Sequence, residues 1–384
     1  MIWRLTAGAV SAFAILASAM VVNAATASEG APIRFGVQAP ITGSYAEEGQ
    51  GIEKAVRLLA EQQNAKGGLL GRQIEVTVCD DEGKPSQAAI CARQLVNAKV
   101  VAVIGSYTSG AALAAEPIYA AANVLQTSDG TSNKLSEQGF KIWFGNAAPN
   151  SAEAEFTANY LVNVRAFKRI AVLTDHSSFA TGLADEVVKN IAAVHGNVVD
   201  KAFVSADSQN FTPVLTKLKS LNPDVLYYSG YYSDGGLIRA QMQQLGMDAV
   251  FVGGDANQNV AFAKIAGAAA VGSVIVNVPA PQDLPYPAAK QFVADYKAKY
   301  GVLPPSVFTL TNADGMRAFL QAIETTKGTD ASALEDYLHH VKDFQGLTGT
   351  FSWNDRGERT GSPFVAFEMQ ADGGYKILYP EPAK

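Results

Sequence analysis

The segment from residue 100 to residue 131, VVAVIGSYTSGAALAAEPIYAAANVLQTSDGT, constrains the fold of this chain most strongly. An apolar run at 100–104 ends in a polar loop, and an alanine-rich helix pattern follows at 111–122. A second short apolar run then leads into another polar loop. This order predicts a strand, a helix and a strand, with hydroxyl-rich loops at the carboxyl ends of both strands.

Ligands of parallel sheets bind at the carboxyl ends of the strands, and a helix that begins there points free N–H groups at a bound anion. Ser109 in the first loop and Thr131 in the second are therefore placed to hold a carboxylate. The alternative is that both loops are ordinary turns with a serine N-cap.

The same alternation continues on both sides of this segment. Before it, the pattern predicts strands at 33–37 and 73–79, with helices at 48–64 and from Pro85 onward. After it, a second series of strands alternates with helices, at 143–144, 169–173, 198–204, 224–228, 250–252 and 273–278. Because 384 residues suffice for two domains, we expect an α/β protein with two doubly wound parallel-sheet lobes and a cleft between them.

The last quarter of the chain indicates a return between the lobes. The proline-rich stretch 278–287 predicts a crossing, and helices are expected at 289–300, 306–325 and 331–339. In the tail, turn signals at 354–357 and 372–374 predict hairpins.

Charge and motifs exclude several classes of function. The formal net charge of −6 and the absence of any Lys/Arg run argue against a nucleic-acid partner. The chain has no GxGxxG after its first strand, no GK[ST] and no GxSxG. Its four histidines lack metal-ligand spacing, and Asp80-Asp81-Glu82 lacks the EF-hand pattern. We therefore expect no cofactor, no metal and no catalytic residue.

The first residues predict export. Residues 1–27 combine Arg4, an apolar run at 7–22 and small-residue cleavage sites near Ala24 and Ala27. These are the features of a secretory signal peptide, and the alternative is an uncleaved membrane anchor. In an oxidising compartment the two cysteines, Cys79 and Cys91, are expected to form one disulfide; the alternative is a pair of buried thiols.

Several blocks, in order, carry a family resemblance. They are PITGSYAEEGQGIEKAVRLLAEQQNAKGGLLGRQIEV, DDEGKPSQAAICARQLV, VIGSYTSGAALAAEPIY, PDVLYYSGYYSDGGLIRAQMQQLG and FSWNDRGE. Together with the signal peptide, they resemble the leucine/isoleucine/valine-binding proteins of bacterial ABC importers. The resemblance implies a type I periplasmic binding fold with three hinge crossings. The first lobe would comprise 32–146 and 280–352, and the second 147–279 and 353–384.

The resemblance also implies roles for individual residues. Ser109 and Thr131 lie where the family grips the ligand carboxylate, and Asp129 lies where a backbone carbonyl contacts the ammonium. Tyr231 in YYSGYYSDGG and Asp255 in FVGGDANQ match the aromatic and acidic residues that the second lobe brings onto the ammonium.

Two positions depart from the family pattern. Phe179 stands where the family usually has a tyrosine, so that hydroxyl contact is lost, and Glu48 replaces a bulky aromatic residue near the side-chain pocket. Each role has a structural alternative: Asp255 as a helix N-cap, Tyr231 as core, and Glu48 and Asp129 as helix caps.

The residue chemistry is consistent with the implied function. A buried zwitterion needs anion donors on one side and a carboxylate on the other. We therefore hypothesise a non-enzymatic, monomeric periplasmic receptor that binds a small amino acid or related zwitterion and delivers it to an ABC permease. One alternative is a receptor for amides, ureas or aromatic acids. Another is a secreted enzyme, although the sequence offers no convincing nucleophile and base.

Overall fold

The computed structural model describes residues 1–2, 30–371 and 374–381. The predicted signal peptide therefore lies outside the described residues apart from its first two positions. Most of the turn predicted at 372–374 also lies outside them.

The first lobe is built on a sheet of five parallel strands in the order β2-β1-β3-β4-β5. The strands are β1 (Ile33–Ala39), β2 (Ile74–Asp80), β3 (Ala102–Ile104), β4 (Leu125–Ser128) and β5 (Trp143–Gly145). The helices that connect them are α1 (Ala46–Ala65), α2 (Pro85–Asn97), α3 (Ser109–Ala121) and α4 (Lys134–Glu137). The strands β1, β3, β4 and β5 are buried because helices cover both faces of a sheet of this kind, whereas the edge strand β2 is mostly half-buried.

One sequence prediction about this sheet was wrong. The alternation of strands and helices grouped the strand at 143–144 with the second series, although the lobe boundary implied by the family resemblance, at residue 146, left it in the first lobe. In the structure β5 pairs in parallel with β4 and completes the first sheet.

The second lobe begins with a parallel sheet and five helices. Its strands are β6 (Ile170–Thr174), β7 (Val198–Phe203), β8 (Val225–Ser229), β9 (Val250–Gly253) and β10 (Val274–Asn277). Its helices are α5 (Asn150–Asn159), α6 (Ser178–Ala193), α7 (Thr212–Ser220), α8 (Tyr232–Gln244) and α9 (Val260–Ala266).

The chain then returns to the first lobe. The elements of this return are α10 (Pro287–Tyr300), α11 (Phe308–Thr326), α12 (Ala331–His340), β11 (Phe344–Gly346), β12 (Gly349–Trp353) and β13 (Arg359–Thr360). Helix α11 packs against α1, and Phe319 on α11 lies 6.3 Å from Phe35 of β1, ring centroid to ring centroid. Burying a phenylalanine of this kind contributes roughly 1.5–3 kcal/mol, so the return is held by hydrophobic packing.

A last hairpin, β14 (Val365–Met369) and β15 (Tyr375–Tyr379), joins the second sheet antiparallel to β10. The second sheet therefore has seven strands in the order β15-β14-β10-β9-β8-β6-β7. The chain passes between the lobes three times, after β5, after β10 and after β13, as the type I fold requires. The turn predicted at 354–357 is confirmed as the connection between the antiparallel strands β12 and β13.

The predicted disulfide is present. Cys79 lies near the end of β2 and Cys91 on α2, and the Sγ atoms are bonded with a Cα–Cα distance of 5.5 Å. The bond joins a strand to the helix that packs back across it.

Candidate functional site

The two hydroxyl-rich loops of the first lobe meet at the start of α3. Oγ of Ser109 accepts the N–H of Thr131 at 3.1 Å and the N–H of Ser132 at 3.2 Å. Both acceptor positions of this hydroxyl are thus used, which leaves its O–H to donate to another group. The N-cap of α3 is Thr108, whose side chain accepts the N–H of Ala111, so Ser109 is not the cap.

The sharp end of β3 brings the first loop close to the neighbouring strand. Gly105 has φ +115°, and a Cβ at this position would lie 1.8 Å from the carbonyl oxygen of Gln38. Only glycine fits this approach, which sets where the loop before α3 begins.

A small cavity of about 10 Å³ lies between these loops and the second lobe. It is lined by all of the predicted ligand-binding residues except Glu48, namely Ser109, Asp129, Thr131, Phe179, Tyr231 and Asp255. The volume suffices for about one water molecule, so the lobes must move apart to admit anything larger.

Aromatic rings from both lobes surround this cavity. The ring centroid of Tyr231 lies 5.1 Å from that of Phe179, 5.6 Å from Tyr107 and 4.6 Å from Tyr45. Phe308 packs on Tyr107 at 5.6 Å and also lines the cavity. Sequence reasoning missed Tyr45, Tyr107 and Phe308, although two of them are aromatic residues in glycine- and serine-rich loops, which was a usable signal.

Asp255 is the acidic group on the second lobe. It is 4% exposed, and its Oδ1 has no hydrogen-bond partner. Burial raises the pKa of this carboxyl to about 7, although the nearby N–H of Ala256 favours the charged form. Asp255 opens a short 3₁₀ turn after β9 and makes no side-chain cap, so its N-cap alternative is not what the structure has.

Glu153, in the first turn of α5, lies directly behind Asp255. Its Oε1 accepts the backbone N–H of Asp255 at 3.0 Å, and its Oε2 has no partner. Burial and the neighbouring carboxyl raise the pKa of Glu153 well above its usual value. Sequence reasoning missed this residue, because it lies 102 positions away from its partner.

The side chain of Asp129 anchors α11 to the first lobe. Oδ1 accepts the hydroxyl of Thr311 at 2.7 Å, and Oδ2 accepts the amide of Asn312. Burial raises the pKa of this carboxyl well above its usual range. Asp129 thus lines the cavity with its side chain already bonded, and it caps no helix.

Glu48 joins the two lobes at the start of α1. It is fully buried, and its Oε2 accepts the amide of Asn259 at 2.8 Å. Burial raises its pKa to about 7, which hydrogen bonds from Ser306 and Asn259 oppose. Glu48 does not line the small cavity; Tyr107, which does, is close enough for the Glu48 charge to raise its pKa further.

A second cavity, of about 20 Å³, adjoins the hinge and shares Asp255 and Phe308 with the first. Its wall includes Arg359, whose guanidinium donates to the carbonyl of Asn146 at 2.7 Å and to Oγ1 of Thr348 at 2.9 Å. Burial lowers the pKa of Arg359 to about 10. Arg359 lies in β13, just before the third crossing, and Asn146 follows β5 at the first crossing, so this buried cation joins two of the three crossings.

A larger depression, of about 320 Å³, lies elsewhere. It is on the outer face of α1 and α11, where Gln62, Lys66 and Arg317 line it. It is open to solvent and lies on one lobe, so we do not assign it a ligand.

Neither a metal cluster nor a membrane span occurs in the described ranges 30–371 and 374–381. Their His, Cys, Asp and Glu side chains form no group of three or more that could hold a metal ion. No helix there has the length and apolar composition needed to cross a bilayer.

Comparisons with known proteins agree with this architecture. A family model described as periplasmic binding protein matches residues 32–374. The Leu/Ile/Val-binding protein homolog 3 of Brucella melitensis is 30% identical over 342 residues, which cover 88% of this chain and 91% of that protein.

Solved structures give the same result. LivJ of Streptococcus pneumoniae, a branched-chain amino acid transporter substrate-binding protein in complex with isoleucine, is similar with a TM-score of 0.82 and 28% identity, covering 91% of this chain and all of that one. A solute-binding protein of an ABC transporter from R. palustris, in complex with benzoate, has a TM-score of 0.81 at 20% identity, which shows the fold alone.

Proposed function

Because this chain belongs to the periplasmic binding protein family, we propose that it is a receptor that captures a small amino acid or related zwitterion between its lobes and delivers it to an ABC permease. Members of this family are substrate-binding receptors and not enzymes. The class of ligand is inferred from the residues that line the small cavity between the lobes.

Two polar groups on opposite sides of the cavity indicate the class of ligand. On one side of the cavity, the Ser109 hydroxyl has its O–H left to donate, at the start of α3. On the other side, the carboxyl of Asp255 is buried with one oxygen unpartnered. A carboxylate and an ammonium on one carbon would satisfy both groups at once, and closure of the lobes would then depend on that ligand.

The side-chain end of the pocket favours a short or polar ligand over leucine. Glu48 and Asp129 place two more carboxyl groups near the cavity. Both oxygens of Asp129 accept hydrogen bonds from the protein, whereas Oε1 of Glu48 has no partner, so a polar ligand side chain is favoured over an aliphatic one. Phe179 contributes a ring and no hydroxyl to the opposite wall.

The experiment is a thermal-shift screen of the mature protein, refolded after removal of bound ligand. It compares the twenty common L-amino acids with their amides, their des-amino analogues and simple aromatic acids. A ligand at about a thousand times its Kd stabilises the protein by about 4 kcal/mol, which is a clear shift. We expect free amino acids to stabilise the protein and des-amino analogues not to.

The matched variant is Asp255→Asn, which keeps the size of the side chain and removes its charge. We expect it to lose most of the shift with amino acids. If only ligands without an amine stabilise the wild-type protein, the assignment of Asp255 to an ammonium is wrong.

A second candidate is an aromatic acid, which the ring-lined wall favours. Tyr107, Phe179, Tyr231 and Phe308 could stack on a planar ligand whose carboxylate reaches Ser109. The same screen separates the two, since benzoate carries no amine.

A further inference from the structure

The carboxyl groups of Glu153 and Asp255 form a buried pair below the cavity. Glu153 comes from α5 and Asp255 from the turn after β9, and they are 1% and 4% exposed. Each keeps one oxygen without a partner in the structure. The two side chains also interact with each other directly. Two buried carboxylates that interact in this way repel each other, so such a pair keeps a proton between them at neutral pH.

The backbone is shaped to hold the pair together. A Cβ at Gly254 would lie 2.9 Å from Oε1 of Glu153 and 3.0 Å from the Tyr227 hydroxyl, so a side chain there would push the Glu153 carboxyl away. The N–H of Asp255 fixes the same Oε1 at 3.0 Å. Glu153 is therefore held against Asp255 by the main chain and not by a flexible contact.

We propose that Glu153 holds the proton of this pair, so that the two carboxyls together present a single negative charge to the amine of the ligand. This inference rests on the proposed function, because the amine is the group that the site would bind. Glu153 acts on the ligand through Asp255 and is therefore a positioning residue. It sets the net charge that the pair presents to the ligand amine.

The protons balance as follows. Below neutral pH both carboxyls carry a proton. When an amine binds as its ammonium, Asp255 releases its proton to solvent, and Glu153 keeps its own and donates it in a hydrogen bond to Asp255. No covalent bond forms or breaks.

Among the residues that the structure describes, the other ionisable groups around the pair form no ion pair with it. They are Tyr227 on β8, Tyr231 before α8, Tyr107 and Asp129 in the first-lobe loops, and Arg359, which lines the adjoining hinge cavity with Asp255. The direction of the pKa shifts agrees with this geometry, since burial raises that of Asp255 to about 7 and that of Glu153 well above its usual value.

The first test needs no ligand. Infrared difference spectra of wild-type protein minus Glu153→Gln, recorded from pH 5 to pH 9, report whether residue 153 carries a protonated carboxyl. We expect the signal of a protonated acid at pH 8. A carboxylate signal for residue 153 at pH 8 would overturn the proposal.

The matched control is Glu116→Gln. Glu116 is another buried carboxyl, bonded by Gln138, and it lines neither cavity. We expect this variant to lose its own acid signal and to leave the titration of Asp255 near neutral pH unchanged. Loss of that titration in Glu116→Gln would contradict its assignment to the pair.

The second test uses calorimetry with each common L-amino acid that shifts the melting curve. In the Glu48→Gln background, which removes the opposing titration of Glu48 on closure, we expect affinity to rise about tenfold from pH 6 to pH 8, because one carboxyl with a pKa near 7 must lose its proton. Glu153→Gln, which can still donate, should bind within about threefold of wild type at pH 8. Glu153→Leu, which cannot, should bind at least tenfold more weakly.

The two proposals fail in different ways. If no amino acid binds, the proposed function is wrong, and the infrared spectra still decide whether Glu153 holds a proton. If amino acids bind but affinity in the Glu48→Gln background is flat between pH 6 and pH 8 and Glu153→Leu binds like wild type, the role of Glu153 is wrong and the proposed function stands.

Discussion

Oε2 of Glu48 accepts a hydrogen bond from the amide of Asn259 at 2.8 Å, and this buried contact joins α1 of the first lobe to the N-cap of α9 in the second. The side-chain oxygen of Asn259 also accepts the N–H of Ala261, so both the nitrogen and the oxygen of its amide are hydrogen-bonded. The contact exists only when the lobes are together, which makes the charge of Glu48 a determinant of closure.

We predict that closure depends on pH through Glu48. Burial raises its pKa from 4.5 to about 7, so the closed form binds this proton more tightly than the separated lobes do. The proton on Glu48 therefore stabilises the closed form relative to the open form, and this stabilisation is fully present below pH 4.5. As pH rises to 7, the equilibrium constant for closure falls by up to about tenfold per pH unit, and above pH 7 it stays constant. Small-angle scattering at pH 5 and pH 8 measures the change.

Glu48→Gln tests the same prediction, since it carries no charge and should remain closed at both values. The control is Glu47→Gln at the neighbouring position, where an exposed carboxyl pairs with Lys264 at 3.3 Å and should contribute little. A Glu48→Gln variant with the pH response of wild type would refute the role of Glu48.

Ser109→Ala should lose both ligand binding and stability. The change removes the O–H proposed to hold a carboxylate and leaves the buried N–H groups of Thr131 and Ser132 without their acceptor. Leaving such groups unpaired costs about 1–3 kcal/mol, which urea unfolding measures.

The comparison variant is Thr108→Ala. It removes the N-cap of α3 and the hydrogen bond from the Thr108 hydroxyl to the carbonyl of Gly83, at a cost of about 1–2 kcal/mol, and should retain the thermal shift with amino acids. Equal loss of binding in both variants would mean that Ser109 acts through loop structure alone.

Arg359→Lys should destabilise the protein by about 3 kcal/mol. A lysine cannot reach the carbonyl of Asn146 and the hydroxyl of Thr348 together, and a buried charge would be left poorly bonded. Arg356→Lys is the control, because that side chain is 58% exposed and its pair with Glu358 should be worth little. Equal melting temperatures for the two variants would contradict this role of Arg359.

Reduction of the disulfide should lower the free energy of unfolding by about 3 kcal/mol, since it closes a short loop in the unfolded chain. Urea unfolding with and without reductant measures the difference, and the double variant Cys79→Ser, Cys91→Ser should match the reduced protein. A wild-type protein that is indifferent to reductant would show that the bond adds no stability.

Much of the fold follows from local patterns in the sequence. Most strands and helices were predicted within a few residues, because buried parallel strands are short apolar runs and their helices carry apolar residues at helical spacing. The short helices α4 and α9 were not predicted. The grouping of β5 with the second series of strands was wrong, because only its pairing with β4 assigns it to the first sheet. The predicted pairing of Cys79 with Cys91 was correct for the local reason that a helix returns across the strand before it.

Part of the candidate site was also predictable from the sequence, and part was not. Ser109 and Thr131 were predicted from loops at strand ends, and the structure brings them within one hydrogen bond. The roles of Asp129 and Glu48 in holding α11 and α9 were not foreseen, because their partners lie far along the chain.

The sequence by itself determined the elements, the loops and the cysteine pair, since each depends on neighbours a few residues away. Only the tertiary structure decided which carboxyls are buried together, as with Glu153 and Asp255. It also decided which buried cation bonds the crossings between the lobes, as with Arg359. The physical reason is that desolvation and charge pairing depend on distance in space, and chain closure through three crossings sets that distance independently of sequence separation.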